Sequence, residues 1–302
     1  MSKITPHLWF DTQAKEAAEF YSEVFPRSQV NNVTTLHDTP SGDCDVVSFT
    51  VWDRDFMAIS AGPLFEINPS ISFFVNFDPG AVPDATGALD RIWAQLADGG
   101  NELMELGEYP FSKRYGWIAD RYGVSWQLIL SDAQGDPRPT IVPSLMFTGE
   151  ICGKAAEARD FYISVFDDAE LGQSAPYPEG SEPDEPGTTM FTDFRLADSW
   201  LAAMDSAQEH HFGFNEAVSL MINCADQAEI DHYWERLSAV PEAEQCGWLK
   251  DRFGVCWQVT PTDLDTMMAE GTPEQIDRVT QAFLPMKKFD LAALRSAYEG
   301  TG

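Results

Sequence analysis

The chain has 302 residues, enough for two domains, and 44% of them are hydrophobic, which is ordinary for a globular protein. Its 49 acidic residues against 19 basic ones give a net charge of −30, a field that repels phosphate backbones and anionic bilayers, so neither nucleic acid nor membrane is an expected partner. No apolar run approaches the ~20 residues of a membrane span, and the N-terminus MSKITPHLWF has no basic and apolar leader. Five cysteines (Cys44, Cys152, Cys224, Cys246, Cys256) are odd in number and never spaced C-x-x-C, which argues against a disulfide scaffold or a zinc knuckle and for a cytoplasmic location. The acidity is read as a device for solubility, with adaptation to salt as the alternative.

Residues 4–10 alternate as a strand, placing His7 and Trp9 on one face and Leu8 and Phe10 on the other. A helix over 14–25 follows, burying Ala17, Ala18, Phe20, Tyr21, Val24 and Phe25, and Pro26 stops it. Strands are predicted near 29–36, 45–53 and 56–61, with Thr39-Pro40-Ser41-Gly42 as a hairpin turn. This is one βαβββ unit. A second starts with a strand at 70–77, continues through a helix at 84–98 and closes on a hairpin at 115–130. The segment 131–139 has the composition of a linker, and the order begins again at 140.

The hairpin YGWIADRYGVSWQL (115–128) returns as CGWLKDRFGVCWQV (246–259), with eight of fourteen positions identical at a constant offset. The pairs Ile4/Ile141, Phe10/Phe147, Tyr21/Tyr162 and Phe25/Phe166 extend the repeat, and FEINPSISFFVNF (65–77) answers FGFNEAVSLMINC (212–224) without a gap. Domains are therefore expected at 1–135 and 136–260, related by an approximate two-fold that mimics a homodimer within one chain; a homodimer of the whole chain is a further possibility. The second copy adds an acidic, Pro- and Gly-rich loop (172–189), expected to be mobile. Residues 261–302 have no counterpart and read as a helical extension. Thr262 with Asp265 suggests a capping box, Thr272 before Pro273 a second helix start, and Asp290 the cap of a last helix ending before Gly300.

Paired βαβββ units, PHLWFD…EAAEFY…VF and DRxGVxWQ resemble the glyoxalase/bleomycin-resistance/dioxygenase (vicinal oxygen chelate) superfamily, and within it the PhnB-like, demethylubiquinone methyltransferase-like branch. The resemblance implies an α+β fold in which paired units curl around a cleft, and in the superfamily's enzymes a divalent metal held by His or Glu from the first, fifth and last strands. Carried over, these positions fall on His7, Ser70 and Gln127 in the first domain and on Ser144, Ala217 and Gln258 in the second. One good ligand in six predicts no metal and no cofactor, and a set of cleft candidates (His7, Trp9, Ser70, Gln127, Ser144 and Gln258) that would bind a small molecule. The first four are expected together on one concave face within residues 1–135. A metal-dependent isomerase, lyase or dioxygenase is the alternative; the methyltransferase of the branch's label is disfavoured, because no Gly-rich turn follows the first strand. Asp120-Arg121 and Asp251-Arg252 are read as turn formers with Arg as the partner of Asp, Trp126 and Trp257 as core, and His210-His211 as solvated loop residues.

Overall fold

The computed structural model describes residues 2–132 and 135–301. The first unit runs β1 (Ile4–Phe10), α1 (Ala14–Val24), β2 (Gln29–Thr39), β3 (Gly42–Val51) and β4 (Arg54–Ser60). The second runs β5 (Ile71–Phe77), α2 (Ala85–Ala97), β6 (Asn101–Tyr109), β7 (Ser112–Ala119) and β8 (Ser125–Leu130). The third comprises β9 (Ile141–Phe147), α3 (Ala155–Val165), β10 (Ala169–Pro176), β11 (Thr189–Leu196) and β12 (Ser199–Asp205). The fourth has β13 (Val218–Cys224), α4 (Gln227–Leu237), β14 (Trp248–Lys250) and β15 (Cys256–Pro261), with a short 3-10 turn at Pro241–Ala243 where the other units have a strand. Helices α5 (Thr262–Glu270), α6 (Pro273–Phe283) and α7 (Leu291–Glu299) form the extension. No helix among the described residues is long and apolar enough to cross a membrane.

Each unit's helix is amphipathic for a simple reason. In α1 the small residues Ala14, Ala17 and Ala18 share one stripe with Tyr21 and Val24, so the helix lies close on its sheet, and Phe25 leaves it in extended geometry because Pro26 follows. Phe20, expected in that stripe, is only half-buried and packs on Tyr122.

The sheets do not follow the halves of the sequence. Sheet A has the order β14-β15-β13-β1-β4-β3-β2, and sheet B the order β10-β11-β12-β9-β5-β8-β7-β6. Sheet A thus joins the first unit to the fourth, and sheet B the third to the second. The seam in A pairs β1 with β13 antiparallel, Ile4 opposite Ile222 and Leu8 opposite Val218; the seam in B pairs β5 with β9, Val75 opposite Ile141 and Ile71 opposite Leu145. These registers are the same with the halves exchanged, which is the expected two-fold. The core lies between the sheets on their helix-bearing faces, where Trp126 of the second unit packs on Tyr21, Phe25 and Phe56 of the first. Residues 1–135 therefore share a core, but each curled face is built from both halves, and the expected cleft within residues 1–135 does not form.

The extension crosses from one half to the other. Its α6 starts with the capping box of Thr272 and Gln275, and Asp290 caps α7 by accepting from Ala293 N–H. The box expected at Thr262 is absent: Pro261 is the N-cap, and the Thr262 hydroxyl donates to Cys224 O at 3.3 Å. The acidic loop is held by its own ends, with Tyr177 N–H donating to Thr188 O (2.8 Å) and Gly187 N–H to Tyr177 O (2.9 Å). Those bonds close it into a compact excursion.

Candidate ligand clefts

The repeated Asp-Arg-aromatic-Gly turn holds the fold. Asp120 is buried and accepts four hydrogen bonds: Tyr21 Oη (2.8 Å), Trp126 Nε1 (2.9 Å), Tyr122 N–H (2.8 Å) and Val124 N–H (3.1 Å). Asp251 repeats this with Tyr162, Trp257, Phe253 and Val255. Burial pushes Asp120 up to about 6 despite these donors, and pushes Asp251 up as well. Every carboxylate oxygen is engaged inside the core, so this Asp is a structural tie between helix, turn and last strand. The arginines are not its partners. Arg121 pairs with Asp98 at 2.6 Å and lies over Phe20, and Arg252 lies over Phe161. Gly123 and Gly254, both at φ +83°, make the tight turn possible.

Strand alternation puts the opposite residues of these sheets on the concave faces. In cleft A, His7 stands on the central strand β1, opposite Ser219 on β13 and beside Met57 on β4. Its ring meets Trp248 edge-on at 5.3 Å, and Trp248 is in turn edge-on to Trp9 at 6.3 Å. Trp9 is fixed by its Nε1 bond to Gly62 O (2.8 Å) and by Phe65. Gln258 donates to Ser219 Oγ at 3.0 Å. Burial pushes the His7 imidazole down to about 3, so it is neutral at any ordinary pH. Among the described residues nothing hydrogen-bonds its buried Nδ1.

In cleft B the equivalent positions are Ser144 on β9, Ser72 on β5 and Gln127 on β8. Gln127 is held at both ends, its Nε2 donating to Ser72 Oγ (2.7 Å) and its Oε1 accepting from Tyr115 Oη (2.7 Å). Phe74, Tyr115, Val142 and Ala202 pack with Trp117 and Phe191 into an apolar cluster that fills much of this face. Over it lies Arg138, paired with Asp193 at 2.6 Å and stacked on Trp200 at 3.8 Å. Ser144 Oγ is buried without a partner among the described residues, as His7 Nδ1 is in cleft A.

The six sequence candidates are therefore split. His7, Trp9 and Gln258 share cleft A; Ser144 and Gln127 share cleft B. Ser70 lies just before β5, two residues from the position that faces Ser144, and its backbone bonds Asn68 and Met146. The strand position belongs to Ser72 in B and Ser219 in A, not to Ser70 and Ala217, because the antiparallel register sets Ser72 opposite Ser144 and Ser219 opposite His7. Both serines occupy matching sites in the ungapped 65–77/212–224 repeat, a signal present in the sequence. So were Trp117 and Trp248, identical in the hairpin repeat. Of the loop histidines, His211 is exposed, but His210 is half-buried, bonded to Ser206 Oγ at 2.8 Å and against Phe212.

A divalent metal does not fit either donor set. Cleft A offers one imidazole, a hydroxyl and an amide that is already bonded to that hydroxyl, and cleft B has no imidazole or carboxylate at the three strand positions. Among the described residues no three His, Cys, Asp or Glu side chains gather to hold an ion.

Four βαβ-type units paired into two curled sheets define a protein of the glyoxalase/dioxygenase (vicinal oxygen chelate) class. The 3-demethylubiquinone-9 3-methyltransferase family matches residues 2–129 and again 139–260, and the chain belongs to that family, the PhnB-like branch of the class. A PhnB protein of Bacillus cereus, described as a 3-demethylubiquinone-9 3-methyltransferase, is 33% identical over 43% of this chain and 100% of its own, with a TM-score of 0.38. Glyoxalase I from Zea mays is 12% identical, aligned over 89% of this chain and 98% of its own, with a TM-score of 0.55, a likeness of fold alone. A dioxygenase-like protein of Bacillus subtilis aligns over 94% of this chain and 97% of its own at 11% identity and a TM-score of 0.50. No curated protein matches the chain.

Proposed function

We propose that the protein binds a small molecule in cleft A, through hydrogen bonding to His7 and edge or face contact with Trp9 and Trp248, without a metal. The observation that carries this reading is His7 Nδ1, buried in the middle of a sheet with no partner among the described residues. An unpaired buried nitrogen costs about 1–3 kcal/mol, which a ligand that engages it recovers. The imidazole stays neutral, so it offers one donor and one acceptor and suits an uncharged polar edge on an aromatic or carbonyl-bearing ligand. Gln258 and Ser219 satisfy one another and shape the wall.

The test uses purified protein equilibrated with a metabolite extract, washed, and denatured for mass spectrometry. A small molecule released by the natural protein and at least about tenfold depleted with His7→Ala is expected, since one buried hydrogen bond is worth about that factor. Equal recovery from both would remove the reading. Methyl transfer, the activity in the family's name, requires a bound methyl donor. The turn after β1 is Asp11-Thr12-Gln13, without the glycines that cradle a nucleotide cofactor. No calorimetric binding of S-adenosylmethionine is expected; a micromolar isotherm would contradict this.

A further inference from the structure

The C-terminal extension lies on cleft A and, among the described residues, has no counterpart on cleft B. It packs through an apolar cluster of its own, in which Leu264, Met267, Val279 and Phe283 meet Leu36 of β2, separate from the main core. Helix α5 leaves β15 beside Cys224, at one end of sheet A. Its last turn reaches β2 on the far side, where Thr34 Oγ1 donates to Met268 O at 3.3 Å. Leu36 and Val46 in this contact are on the face turned away from Val47 and Phe49 of the core, the face that carries His7 and Trp9, so α5 runs on the cleft side of sheet A from β15 to β2 at its other edge.

The two sides of this contact differ. On the β14–β15 side the extension is rooted by the chain itself and by backbone bonds: Cys246 N–H donates to Met286 O (2.8 Å) and Gly247 N–H to Lys287 O (2.7 Å). These bonds occupy the edge that lacks the strand present in the other units. Phe289 seals the root against Gly247, where a Cβ would stand 2.6 Å from its ring. On the β2 side a groove of about 330 Å³ runs along the seam between Val33, Thr35 and His37 of β2 and Ala269, Ile276 and Asp277 of the extension. Among the described residues the Thr34–Met268 bond is the one that crosses it. The covering helices also bury Asp265 Oδ2 and Thr280 Oγ1 without partners among those residues. A segment with its own small core, two unpaired polar atoms and a grooved seam crossed by one hydrogen bond belongs to the part of a fold that opens first.

We propose that α5 and α6 form a flap over cleft A, hinged at β14–β15 and opening at its seam with β2, and that this opening admits the ligand. This rests on cleft A being the binding site, but its test needs no ligand. Diethyl pyrocarbonate acylates neutral imidazole, and His7 is neutral, so its labelling rate, mapped by peptide mass spectrometry, reports access to the cleft. Exposed His211 serves as the internal control. In the full chain, Thr34→Cys with Met268→Cys, closed by a short bis-maleimide crosslink, should slow His7 labelling at least about tenfold, and Leu36→Ala should speed it by a similar factor through the lost burial. His211 should label equally in all three. His7 labelling unchanged by the crosslink would overturn the flap, as would equal rates in the natural protein and Leu36→Ala. A cleft that binds nothing once the flap is released would instead remove the ligand reading and leave the flap standing.

Discussion

Asp251 is the residue whose loss should be felt most. It accepts from Tyr162 Oη, Trp257 Nε1 and two backbone N–H groups inside the core, so Asp251→Ala strands four donors. At about 1 kcal/mol or more for each unpaired buried donor, a loss of about 4 kcal/mol is expected. Urea denaturation followed by tryptophan fluorescence measures it, and a loss below about 1 kcal/mol would refute the structural role. Asp265 carries a different consequence. Burial alone pushes it up to about 6 from its ordinary 3.8, and no opposite charge holds it down. The folded state therefore grips this proton more tightly than the unfolded one. The stability it contributes is complete below 3.8 and is lost as pH rises through about 6. Hydrogen exchange of amides in α5 and α6, corrected for intrinsic rates, should show protection falling between pH 4 and 7. With Asp265→Asn the step should vanish; a step of equal size in that variant would place its origin elsewhere. At this scale the sequence was informative where one residue type suits one geometry, as Asp suits the turn. It was uninformative about Arg121, whose partner Asp98 becomes a neighbour only when the end of α2 meets the hairpin.

Elements were largely legible because periodicity encodes them locally. The stripe of α1, the strands of the first unit, the hairpin turns and the caps of α6 and α7 all follow from spacing and turn chemistry. The exceptions share a cause in tertiary contact. Thr262 gives its hydroxyl to Cys224 rather than to its own helix. The unit-four edge strand gave way to a 3-10 turn because the extension covers the edge instead. The two repeated glycine types allow a clean comparison. Gly254 is at φ +83° with nothing within 4 Å of the point where a methyl group would stand, so Gly254→Ala carries only the left-handed backbone term, about 1–2 kcal/mol. Gly247, at φ +82°, adds a clash with Phe289 at 2.6 Å. Gly247→Ala should therefore cost more overall and should raise exchange selectively in residues 286–299. Equal global and local effects of the two substitutions would show that Phe289 is not the seal of the root.

Which strand would lie beside which was not legible in the repeat, since the chain offers two equivalent partners for β1. Either β5 of its own half or β13 of the other presents a largely apolar strand with a serine as its second residue. The structure takes β13, and Arg54 marks the junction, its guanidinium donating to Ile4 O (3.2 Å) and Ile141 O (3.4 Å), the first residues of both leading strands. With domains proposed at 1–135 and 136–260, this exchange has a direct consequence. Residues 1–135 alone would keep their core but expose one edge each of β1 and β5, two strands that are buried almost throughout. Unpaired apolar edges seek a strand of matching register. The available one is the same strand of a second copy: β1 of one against β5 of the other, Ile4 opposite Val75 and His7 opposite Ser72, twice over in a closed two-fold dimer. The isolated fragment is therefore expected to be a folded dimer by light scattering at micromolar concentration. A Pro substitution at Trp9 in the fragment removes the N–H that in the full chain donates to Ala217 O across the seam (2.8 Å) and should shift it towards monomer or aggregate. A fragment that is folded and monomeric without that change would mean that β1 and β5 can close on each other within one half, and that the exchange seen in the full chain is a choice of linkage rather than a demand of the edges.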